Sequence, residues 1–196
     1  YTLDVTGLKS QITWGNSLDM VTSINGRVPY LDEVKNSAQR ANMQAAISYM
    51  GLEEGGDLIG LEVHRVFIGS CTNSRISDLR AAANIVKGRK VAPHVKAWVV
   101  PGSEMVKRQA QQEGLDKIFL DAGFEWRNPG CSMCLSANGE TIGPGERAIS
   151  TANRNFAGRQ GPGSRTHISS PIVAAAAACA GFIVDPNQME SKELNQ

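Results

Sequence analysis

The sequence predicts a three-layer α/β fold, a mostly parallel sheet with helices on both faces. Three observations lead there. Short apolar runs alternate with segments whose apolar residues recur every three or four positions, the pattern of strands joined by crossover helices. Small-residue turns follow the apolar runs, as in Gly69-Ser70-Cys71, Pro101-Gly102-Ser103 and Asn128-Pro129-Gly130. The chain has 196 residues, 41% hydrophobic and 20% charged, which suits one well-packed globular domain. Residues 1–196 are therefore read as one domain. Residues 1–30 are lead-in strands, 31–186 the α/β core and 187–196 a tail.

Each element has its own signal. Ile12, Trp14, Val21 and Ile24 lie between Gly and Asn turns and read as short strands. Pro29 leads into a helix of about 16 residues that Gly51 stops. Its apolar face is expected to carry Val34, Ala38, Ala41, Ala45 and Tyr49. Val63, Val66, Phe67 and Ile68 form a buried strand running into Cys71. The next helix starts at a cap on Asn73 or Ser74 and turns Ile76, Leu79, Ala83 and Val86 inward. Val95 to Val100 is the next strand. A helix with Met105, Val106 and Ala110 follows, then a short one over Leu115 to Ala122. Phe124 to Trp126 is a short strand that delivers the chain to Cys131. Ala148 to Ala152 is another strand. Arg165 and His167 fall in a Gly-rich loop, and Ala174 to Ala180 is a helix of small residues.

Composition narrows the function. A net charge of +1 without a basic stripe argues against nucleic acid as a partner. No apolar run is long enough to cross a membrane. No leader is visible, and the four cysteines in a chain of this size read as reduced thiols of a cytoplasmic protein. The first residue is Tyr1, not Met, so the chain is expected to be a fragment of something longer.

Chemistry concentrates on Cys71, Cys131 and Cys134. A C-x-x-C pair can be a redox dithiol, half a zinc site or two ligands of a cluster. No histidine stands at regular finger spacing from Cys131-Ser132-Met133-Cys134. Cys71 follows a strand, as the pair does, so the fold brings all three thiols to one edge of the sheet, where such folds bind ligands. Three thiolates are one short of the four that structural zinc or an all-cysteine cluster uses, which leaves an open metal position of catalytic type. Cys179, among alanines, reads as a small buried residue. In Asn153-Arg154-Asn155-Phe156-Ala157-Gly158-Arg159, two arginines flank a turn, and each offers a fork that grips a carboxylate. His64, His94 and His167 read as incidental.

The segments I-G-S-C-T-N-S-R-I-S-D-L-R, P-G-C-S-M-C-L and N-R-N-F-A-G-R-Q-G resemble the aconitase superfamily. C-S-M-C, the run from Gly88 to Ser103, Ala122 to Arg127 and Thr166 to Pro171 are similar to its 3-isopropylmalate dehydratase branch, where aconitases proper tend to have C-G-P-C. The resemblance runs from Ile12 to about Asp185. It implies a [4Fe–4S] cluster on Cys71, Cys131 and Cys134, with Arg154, Arg159 and Asn153 binding a small di-acid. It implies a hydro-lyase that turns 2-isopropylmalate into 3-isopropylmalate in leucine biosynthesis, with homoaconitase or another isomerase of substituted malates as the alternative. It also implies two kinds of partner: further large-subunit domains holding the acid/base groups, and a small swivelling subunit carrying the proton-abstracting serine. No catalytic residue is assigned within this chain, which alone is expected to be inactive.

Overall fold

A computed structural model describes residues 1–2, 4–136 and 139–190. Strands β1 (Gln11–Thr13) and β2 (Val21–Ser23) form an antiparallel pair. Helix α1 (Ser37–Met50) follows. The core then alternates β3 (Arg65–Ile68), α2 (Ile76–Val86), β4 (Lys96–Val99), α3 (Glu104–Gln112), α4 (Leu115–Ala122), β5 (Glu125–Trp126), β6 (Arg147–Ser150), β7 (Arg165–Ile168), α5 (Pro171–Ala180) and α6 (Pro186–Glu190). Helix α6 takes in the first residues of the expected tail, and 191–196 lie outside the described residues.

Strands β3 to β7 make one parallel sheet in the order β5-β4-β3-β6-β7, with helices around it, as the alternating pattern requires. The chain builds outward from β3 to one edge, then returns to place β6 on β3's other side. Loops leaving β3 and β6 therefore diverge at a topological switch point, which opens a crevice at the carboxyl ends of the strands.

Strand alternation sorts side chains onto two faces. Val66, Ile68, Ala97, Val99 and Ile149 join the main core with α2, α4 and α5. Phe67, Trp98, Val100, Ala148 and Ala152 point the other way, onto Met133, Cys134 and Ile142. The segment bearing the C-x-x-C pair thus covers the second face of the sheet. Helix α5 lies against β3 and α2, and Ala174 to Ala178 are all 0% exposed, so small side chains allow its backbone to approach closely. Ser170 caps α5 by accepting from Val173 N at 3.4 Å, and Pro171 opens it where no N–H is needed.

Three local expectations change. Helix α1 buries Met43, Ala46, Ile47 and Met50, while Ala38, Ala41 and Ala45 face solvent. The larger side chains gain more from leaving water, so they set the rotation. Helix α2 begins later than Asn73 or Ser74: Arg75 is its cap residue, and Asp78 accepts from Arg75 N at 2.9 Å. Arg165 and His167 are not in a loop but on β7, paired with Arg147 and Ile149. Of its four residues the two buried ones, Thr166 and His167, are polar, and a Gly-rich stretch precedes them, so no apolar run announces the strand.

Candidate functional site

The β3 strand ends at Ile68, and Gly69-Ser70 turns the chain toward Cys71. Ser70 sits at φ 95, a left-handed conformation that costs a side-chain-bearing residue about 1–2 kcal/mol. Thr151, just beyond β6, helps hold the turn. Its hydroxyl accepts from Gly69 N at 2.9 Å and donates to Gly69 O at 2.7 Å. Its carbonyl accepts from Ser70 Oγ at 3.3 Å and from Asn73 Nδ2 at 2.8 Å. Ser70 Oγ in turn accepts from Asn73 N at 3.1 Å. Cys71 is left exposed at the tip.

The second loop leaves β5. Arg127 N donates to Val99 O at 2.9 Å, and its guanidinium lies 4.7 Å from the Trp98 ring centroid. Arg127 also pairs with Glu140, which accepts from Ser132 Oγ. Ser132 has φ 44 and starts a 3-10 turn, Ser132–Cys134. Met133 is buried between the two cysteines. Gln160 Nε2 donates to its carbonyl at 2.7 Å. Cys131 is exposed and Cys134 buried. Three serines at positive φ near the three cysteines, Ser70, Ser132 and Ser136, are the kind of local strain that persists only where surrounding bonds fix it.

The two loops and the end of β6 meet in a cavity of about 240 Å³. Ser70, Cys71, Pro101, Gly102, Gly130, Cys131, Cys134 and Asn153 line it. Gly102 is needed there: a Cβ would stand 2.9 Å from Ser74 O. The three thiols and Asn153 expected at the site are thus brought together at the carboxyl edge of the sheet. Arg159 is not in the lining but touches it at Cys134, with Nη2 3.8 Å from Cys134 Sγ, its guanidinium 5.4 Å from the Phe156 ring centroid, and its buried Nε without a partner among the described residues. Arg154 lies apart. It lines a neighbouring recess of about 230 Å³ with Asn16, Ser17, Leu18, Asn155 and Phe156. A larger recess of about 540 Å³ runs beside Cys131, from Trp126 to Ser132 and Glu140. Thr151, Glu140 and Gln160 were missed as supports because their partners are distant in sequence or depend on one loop conformation. Pro101-Gly102 signalled a turn but not its place in the wall.

Two other residues are settled by burial. Cys179 has its thiol pushed up to about 11 by desolvation, so it is protonated at neutral pH, and it is not among the residues that line the cavity. His167 is fully buried, and burial first and the Arg147 charge second push it down to about 3. Its Nδ1–H donates to Thr13 O at 2.6 Å, so Nε2 accepts from Arg147 Nη1 at 2.7 Å. It is a structural residue, as a neutral histidine.

Among the described residues, no three His, Cys, Asp or Glu side chains draw together closely enough to hold one metal ion. A tetrahedral zinc would need its thiolates roughly 3.8 Å apart, given Zn–S bonds of about 2.3 Å. A cubane asks for something else: each cysteine binds a different iron, so the ligands stand around a wider body. Three thiols spread around a cavity of about 240 Å³ fit the second requirement better than the first.

Residues 1–181 match the Aconitase family (aconitate hydratase). The chain is 61% identical over 189 residues to "3-isopropylmalate dehydratase large subunit 1" of Bradyrhizobium diazoefficiens, an alignment covering 96% of this chain and 40% of that protein. The chain thus spans well under half the length of that relative. No helix among the described residues is long and apolar enough to cross a membrane. By the extent of the family match, the chain belongs to the aconitase family.

Proposed function

We propose that the chain is the cluster-bearing part of an iron–sulfur hydro-lyase that converts 2-isopropylmalate to 3-isopropylmalate in leucine biosynthesis. The observation that carries this reading is the meeting of Cys71, Cys131 and Cys134 in one cavity, with Asn153 on its wall and Arg159 at Cys134. The name of the Bradyrhizobium relative supports the substrate. The reaction breaks a C–O bond, loses a proton from the adjacent carbon, and returns water with the two positions exchanged. A [4Fe–4S] cluster on the three thiolates, when bound, supplies a Lewis-acidic iron with an open position. Arg159, at Cys134, would hold a carboxylate through its planar fork and Asn153 would orient the substrate from the cavity wall, while Arg154, which lines a separate recess, is assigned no contact with the substrate. The water-exchanging acid and base come from partners: the rest of the large subunit and a small subunit. The exposed Cys71 and Cys131 fit a reducing, cytoplasmic setting.

The test is anaerobic reconstitution of the large subunit containing this chain, with iron, sulfide and zinc quantitation and EPR on wild type and Cys71→Ser. A cubane signal that Cys71→Ser abolishes supports the proposal. Zinc held by Cys131 and Cys134 regardless of Cys71 would sink it.

A further inference from the structure

Gln160 is 1% exposed and lies against the smaller apolar cluster, a costly place for an amide. Its Oε1 has no hydrogen-bond partner among the described residues. A methionine would fill the same volume without an unmet Oε1, and would give up only the bonds that Nε2 makes. The other half of the amide shows what the position provides. Nε2 donates to Met133 O at 2.7 Å and to Ser150 Oγ at 3.3 Å. Met133 lies between Cys131 and Cys134, and Ser150 ends β6. The main chain of the same residue holds the other end of this segment, since Gln160 O accepts from Ile142 N at 2.7 Å. One residue therefore grips the cysteine segment at its start and at its finish, and ties both to the sheet. The neighbouring residue, Arg159, turns Nη2 toward Cys134.

We propose that Gln160 is a positioning residue that fixes the Cys131–Cys134 turn in the geometry a cluster requires; this rests on the cluster reading above. The amide acts on the cysteines through the Met133 carbonyl, and it touches neither substrate nor cluster. Gln160→Met keeps the volume and removes the donor. Gln160→Asn keeps the amide and falls one methylene short, so it reads the same effect if the first variant folds poorly.

Both variants are made in the full-length large subunit and assayed in two ways. In apo protein, Cys134 should be alkylated by iodoacetamide about tenfold faster than in wild type, the scale of one lost buried hydrogen bond. Cys71, on the other loop, and Cys179, in α5, should keep their wild-type rates. In reconstituted protein, cluster loss in air should accelerate by about tenfold or more, as for other groups that orient metal ligands. Cys134 reacting at its wild-type rate, or all cysteines speeding up together, would overturn the proposal. Wild-type protein that takes up no cluster would instead sink the cluster reading, while the apo labelling still decides whether Gln160 sets the turn.

Discussion

At the scale of single residues, chemistry follows from burial and partners. Arg159 stands beside Cys134, with Nη2 turned to its sulfur and Nε buried, and its guanidinium is the group proposed above to take a substrate carboxylate. Arg159→Lys keeps the charge and loses the fork. The specificity constant of the complete enzyme should fall between about tenfold and a hundredfold, the range for a hydrogen bond to a charged group, with iron content unchanged. An unaltered constant would remove Arg159 from the substrate site. The residues that line the cavity with thiols and an amide were legible in the sequence, because Cys71, Cys131, Cys134 and Asn153 stand in short distinctive segments. Those that act on other residues were not. Thr151 holds Gly69 across 82 residues and Gln160 holds Met133 across 27, and nothing in either local sequence names the partner.

At the scale of elements, strands and helices with strong apolar runs were legible, and polar or weakly apolar ones were not. Leu115 to Ala122 was readable to its ends because Gly114 and Gly123 bracket it, both at positive φ. Strand β7 was invisible because Arg165, Thr166 and His167 bury polar groups in a strand of four residues. Helix α1 was recognised but turned to the wrong face, since alanines repeat at helical spacing on its solvent side. The correction is measurable. Ile47→Ala should cost about 2–5 kcal/mol by opening a cavity in the main core. Ala45→Ser, on the exposed side, should stay within about 0.5 kcal/mol. Equal losses in chemical denaturation of the two variants would restore the alanine face as the buried one.

At the scale of the whole molecule, the sheet order explains both where the cavity lies and how the fold responds to acid. The switch between β3 and β6 opens the crevice, and the return of the chain to β6 and β7 places Arg147 and His167 side by side under the C-terminus of α1. Arg147 is buried, pushed down to about 10 by desolvation and by nearby Arg165, and so still charged at neutral pH. It has no ion-pair partner among the described residues. Its Nη2 donates to Met50 O at 3.0 Å, and its Nη1 to His167. That arrangement needs His167 neutral, because a second proton on its ring would face the guanidinium. The folded protein therefore refuses a proton that the unfolded chain accepts below about pH 6.5. His167 contributes its full stability above that pH, and the contribution is lost as pH falls toward about 3. Between pH 6.5 and 5, above most carboxylate titration, the loss should reach about 2 kcal/mol, or roughly 4–8 °C in melting temperature. His167→Gln cannot take up that proton. It should melt lower than wild type at pH 7, yet lose less with each step toward pH 5. Parallel melting curves for the two proteins across that window would mean that His167 is protonated in the folded state, and that the Arg147 contact does not hold it neutral.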